Sequence, residues 1–158
     1  MLQTIVDFLR TIGIAACPGT VASGSFLPAL RIVNGALEYD PHGLRWPGDL
    51  LHEAGHIAVT PAEHRAGLSD ALAGEPAWDH GGELEAMAWS WAATLHLGLP
   101  PEALFHPDGY KGQSPGLLFS YRMGVCPGAL GLSRTGMTLL AQTALGARLY
   151  PHMQRWLR

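Results

Sequence analysis

His52-Glu53-Ala54-Gly55-His56 sets two imidazoles four residues apart, with a carboxylate directly after the first. Four residues make just over one helical turn, so in a helix both imidazoles project from one face toward one point. Neutral imidazoles so spaced suit the ~2.0–2.1 Å bonds of Zn²⁺. Glu53, beside them, can take a proton from a metal-bound water. Ala54 and Gly55 leave room for close approach, and glycine inside a helix costs about 1 kcal/mol against alanine. The bland alternative is two surface histidines on an ordinary helix. Apolar flanks (Leu50-Leu51 and Ile57-Ala58-Val59) and carboxylates downstream weigh against it.

A catalytic zinc needs a third protein ligand and one open position. Gly81-Gly82-Glu83-Leu84-Glu85-Ala86-Met87-Ala88-Trp89 offers Glu83 and Glu85. A buried stripe is expected through Leu84, Ala88, Trp91 and Leu95, with the two glutamates flanking it on opposite sides. At ~100° per residue they point about 200° apart, so only one can face the metal. Periodicity does not choose between them. The other would be a solvated acid near a helix N-terminus, where its charge complements the dipole.

These side chains need elements to hold them. Leu2, Ile5, Val6, Leu9 and Ile12 recur at helical spacing, which predicts a helix over residues 2–15, ended by Pro18-Gly19. Leu30-Arg31-Ile32-Val33, Asn34-Gly35 and Ala36-Leu37-Glu38-Tyr39 read as a hairpin, because Asn-Gly supplies the positive φ angles of a type I′ turn. Pro47 and Pro61 bracket a helix over about 47–59, which carries the histidines. Residues 61–82 predict a long loop with one short helix, and residues 83–97 a helix capped by Gly98. Residues 105–131 are glycine-rich and loop-like. Ser133 marks the N-cap of a final helix to about residue 150.

Composition narrows the classes. The chain has 158 residues, 47% of them apolar and 15% charged, which suits one globular domain over 1–158 with a sizeable core. A net charge of -3 leaves no footprint for direct nucleic-acid binding. No run approaches the ~20 apolar residues needed to span a membrane. Cys17 and Cys126 lie far apart, so no disulfide framework is expected and a reducing cytoplasm is the simplest setting. Ile14-Ala15-Ala16-Cys17 is like a lipoprotein cleavage box, but Asp7 and Arg10 interrupt the apolar stretch before it.

Other polar residues carry weaker claims. His80 precedes Gly81-Gly82 and could approach the site. Tyr110, Tyr121 and Arg122 could stabilise an oxyanion. His42, His64, His106 and His152 read as surface or capping groups, His96 lies too far along its helix to share the metal, and the five tryptophans read as core or pocket walls.

The hairpin, Tyr39-Asp40-Pro41, the stretch from Arg45 to His56 and the segment Glu83–Trp91, which together span a little under half of the chain, resemble the ImmA/IrrE-like family of small gluzincin metallopeptidases. The resemblance implies a zincin-like fold, zinc as cofactor, His52, His56 and Glu83 as ligands, Glu53 as general base, and a specific intracellular protein, such as a transcriptional repressor, as substrate. Related gluzincins carry a Glu-x-x-Ala/Ser-Asp/Asn pattern whose first glutamate binds zinc, and Glu83-Leu84-Glu85-Ala86-Met87 fits it with Glu83 as that ligand. Met87 departs from the usual Asn or Asp, so a polar partner for a zinc histidine is missing or comes from elsewhere.

The expectation is an α+β fold: a short antiparallel sheet beside helices, the metal between the two motif helices, and Ala36–Tyr39 as an edge strand against which a peptide could pair. The expected function is zinc-dependent hydrolysis of a peptide bond in a protein or peptide. Two rivals are a non-catalytic zinc-binding regulator that acts by binding a partner protein, and a structural protein whose motif is accidental.

Overall fold

The protein is described from a computed structural model covering residues 1–21, 27, 29–69, 82–142 and 145–158. Over those described residues it is α+β, with six α-helices and one three-stranded sheet. Helix α1, Leu2–Thr11, buries Ile5, Val6, Phe8 and Leu9. It stops four residues earlier than its apolar spacing predicts. Gly13 takes φ +90°, and the amides of Gly13 and Ile14 turn back to the carbonyls of Arg10 and Leu9. That is a Schellman ending, which satisfies carbonyls the helix would leave orphaned.

The residues released by this stop form a strand, β1, Ala16–Pro18, which contains Cys17. Strands β2, Leu30–Val33, and β3, Ala36–Tyr39, form the expected hairpin, with Val33 opposite Ala36 and positive φ at Asn34 (50°) and Gly35 (74°). Gly35 is needed twice over, because a Cβ there would collide with the carbonyl of Arg65. The sheet is mixed rather than antiparallel, since β1 pairs in parallel with β3. With the order β1-β3-β2, Ala36–Tyr39 is the central strand, not the expected edge.

Helix α2, Asp49–Val59, and helix α4, Glu83–His96, pack side by side and form the centre of the molecule. The short helix α3, Ala62–Arg65, follows α2; the rest of the expected loop, 70–81, with Trp78 and His80, lies outside the described residues. The expected stripe on α4 is wrong at both ends: Leu84 is 51% and Leu95 40% exposed. Between them every residue from Ala86 to Thr94 is buried, because α2, the α1 side and the C-terminal segment cover the helix from several directions. A helix enclosed in that way keeps no amphipathic period.

Residues 105–131 are more ordered than their glycines suggest, with helix α5 over Ser114–Arg122 and helix α6 starting at Ala129. Among the described residues the expected final helix from Ser133 is absent. Ser133 lies near the end of α6, Ala129–Arg134, and Gly136 at φ +73° turns the chain away. Beyond Gly136 the chain runs as a strap, with Thr138 bridged to Met153 and Arg158 donating its amide to the carbonyl of Ala58.

Candidate metal centre

Helix α2 begins after Trp46-Pro47-Gly48 and presents His52 and His56 one turn apart. Its closeness to α4 depends on small residues. A Cβ on Gly55 would lie 2.6 Å from the carbonyl oxygen of Ala86 and 2.9 Å from the Ser90 hydroxyl. That hydroxyl donates across the interface to the carbonyl of Leu51 at 2.9 Å, and is also 2.6 Å from that of Ala86. Because the backbones approach so closely, the first turn of α4 stands over the histidines.

Glu83 is the residue that reaches them. Its Oε1 lies 3.4 Å from Nε2 of His52 and its Oε2 3.3 Å from Nε2 of His56, while the two Nε2 atoms are 3.2 Å apart. A tetrahedral ion with ~2.0–2.1 Å bonds holds its ligand atoms about 3.3–3.4 Å apart. The three side chains therefore form a group that can hold a metal ion. Glu85 points elsewhere: its carboxylate occupies the space beside Gly82 and Gly131, where a Cβ on either glycine would meet it. The choice that helix periodicity left open falls to Glu83 by geometry.

Burial grades across the group. The His52 and His56 side chains are 14% and 8% exposed, Glu83 58%, so the group opens to solvent on the α4 side. Removal from water, and then the neighbouring His56, push the pKa of His52 down to about 4, against the upward pull of Glu83. A neutral imidazole is the form that offers a lone pair to a metal. Glu53 is buried next to His52 on α2, and its charge is one of those that raise the pKa of Tyr110.

Of the three candidates for oxyanion stabilisation, only Tyr110 comes to the histidines. Its hydroxyl lies 3.3 Å from Nδ1 of His52. Burial, first of all, raises its pKa, so it stays protonated. The Tyr121 hydroxyl instead donates to the carbonyl of Pro127, and Arg122 pairs with Glu102 at 2.5 Å. Met87 is buried in α4, so the polar contact to a histidine comes from Tyr110, on a different segment.

His106 departs from its expected surface role. It is 3% exposed, its Nε2 lies 2.9 Å from Oδ1 of Asp49, and its ring stacks on Trp46 at 4.6 Å. Burial raises the pKa of Asp49, against the lowering effect of His106. The signal available in the sequence was Asp49 itself, an acid at a helix start with its partner 57 residues away. His96 packs between Phe8 and Trp156, away from the group. Both cysteines are free, and among the described residues no helix is long and apolar enough to cross a membrane. Comparison with protein-family models, curated proteins and solved structures gives no match.

Proposed function

We propose that the protein is a zinc-dependent peptidase with a zincin-like active site, acting on a peptide bond of an intracellular protein in the cytoplasm. The observation that carries this reading is the convergence of His52, His56 and Glu83 at 3.2–3.4 Å, with Glu53 buried beside His52 on the same helix. His52, His56 and Glu83 would hold the ion. Bound zinc polarises a carbonyl and lowers the pKa of water.

Glu53 then has the task of a general base. It accepts the proton of the attacking water and returns it to the leaving amine. The exposed face of Glu83 marks the side from which a peptide arrives. Since β3 is central, a peptide that pairs with the sheet must use an outer strand, β1 or β2.

A non-catalytic zinc-binding regulator is the second reading, supported by Met87, which fills with an apolar side chain the slot where the resembled family carries Asn or Asp. Glu53→Gln decides between them. As an enzyme, the variant keeps its zinc and loses at least about 10²-fold in cleavage of a peptide library read by mass spectrometry. Zinc binding by a wild type that cleaves nothing would leave the regulator. Absence of zinc binding removes both.

A further inference from the structure

The Tyr110 hydroxyl meets His52 at Nδ1, the nitrogen that the Glu83 contact does not use. Their rings sit edge to face, with centroids 5.5 Å apart and planes at 87°. An imidazole that offers Nε2 as a lone pair carries its proton on Nδ1. In that state the Nδ1–H donates and the tyrosine oxygen accepts. The reverse arrangement, with the phenol donating to Nδ1, would leave the proton on Nε2 and close the nitrogen that faces Glu83.

The segment that carries Tyr110 is held in a conformation that needs support. Tyr110 and Lys111 both adopt φ +52°, and side chains rarely take that region unless their surroundings impose it. Ser114 supplies part of the constraint, with its hydroxyl 2.6 Å from the carbonyl of His106 and 3.2 Å from that of Gly109. A further part comes from the start of α2 and the residues just before it. His106 is clamped between the Trp46 ring and the Asp49 carboxylate, and Asp49 begins the helix that bears His52 one turn later. Anchor and target therefore share one rigid element.

Resting on the metal-site reading above, we infer that Tyr110 is a positioning residue for His52, fixing the tautomer that presents Nε2, and that the Asp49–His106 pair holds the segment from which Tyr110 reaches. A partner on the far nitrogen fixes ring orientation and raises ligand basicity, and losing one typically weakens metal binding 10–100-fold. Tyr110 would thus act where the departure at Met87 removes the polar residue of the resembled family.

The test is zinc titration of the full chain, with zinc alone as the probe. Tyr110→Phe keeps the ring and is expected to weaken zinc affinity about 10–100-fold. Tyr121→Phe, which removes a part-buried hydroxyl that donates to the Pro127 carbonyl, should leave zinc affinity unchanged. Nitrogen NMR of the histidine rings supplies the readout that a packing role would not move. In zinc-loaded wild type, His52 carries a slowly exchanging Nδ1 proton, and in Tyr110→Phe that proton exchanges faster. His106→Gln should also weaken zinc binding, and adding it to Tyr110→Phe should cost little more, since both act through one contact. An unchanged affinity in Tyr110→Phe, an equal loss in Tyr121→Phe, or His52 bound through Nδ1 would overturn the inference. If Tyr110→Phe does not fold, the wild-type NMR experiment alone decides it. Failure of wild type to bind zinc is a separate result, which removes the metal site itself.

Discussion

Helices α2 and α4 and the strap after α6 pack against the same core, yet they are built on different principles. In α2 and α4 the functional groups are placed by helical spacing, and the two helices meet through small residues: Gly55, Ala86 and Ser90. The strap has almost no regular structure. It is tied down by scattered long-range bonds: the Tyr150 hydroxyl to the carbonyl of Ala88, the Trp89 indole to that of Trp156, and Arg65 to that of Arg158. One region sets chemistry by local geometry, whereas the other closes the back of that geometry by tertiary contact. If the division is real, damage to the first should show in metal binding and damage to the second only in stability.

The largest expected effect is on the histidines. His56→Ala should lose most bound zinc, and chelation, which lowers the melting temperature of the wild type, should leave the variant's almost unchanged. A ligand that binds only the folded state at a thousandfold excess over its Kd contributes about 4 kcal/mol, so the wild-type shift should be plain in a thermal melt. Undiminished zinc in His56→Ala would end the metal reading and with it the contrast between the regions.

The glutamates come next. Glu83→Ala should release zinc, while Glu85→Ala should bind it as the wild type does, because the Glu85 carboxylate sits beside Gly82 and Gly131 instead. The opposite result in zinc titrations would put the ligand on the wrong side of α4. Gly55→Val should then link metal binding to packing. Its branched side chain must push against the Ala86 carbonyl, and such overpacking typically costs about 1–3 kcal/mol. The α4 helix has to move, carrying Glu83 with it, so denaturant unfolding and zinc affinity should both report the change. Loss of stability with undisturbed zinc binding would show that the site tolerates movement between the helices.

The same division separates what could be read from the sequence and what could not. The HExxH spacing, the Asn34-Gly35 turn and the glycine after α4 depend on residues a few positions apart, so they were legible. Glu83 was legible only as one of two, because a helix covered on several sides has no burial period to break the tie. Strand β1 was missed because it exists only by pairing with β3, about 20 residues on, after the Gly13 turn frees it from α1. The final helix was expected because Ser133 looks like a cap, but the chain there is decided by Gly136 and by bonds to distant carbonyls. His106 reads as a surface or capping group in the sequence for the same reason: its partner, Asp49, is brought to it by the fold.

The smallest expected effect falls on the strap. Tyr150 is half-buried, with its hydroxyl 2.9 Å from the carbonyl of Ala88 on the back of α4. Tyr150→Phe removes that bond and the hydroxyl's contact with the Cys126 thiol, while the ring remains. An ordinary hydrogen bond contributes about 0.5–1.5 kcal/mol net, and a carbonyl inside a helix retains its own amide partner, which points to the lower half of that range. Burial already raises the phenol's pKa and keeps it neutral, so no charge is lost. Urea denaturation should therefore show a small loss of stability with the slope unchanged. Zinc affinity should match the wild type, because nothing in the Glu83 turn moves when one strap contact is cut. A clear loss of zinc in Tyr150→Phe would mean that the strap sets the position of α4 and does more than cover it, and the two regions would then have to be treated as one device.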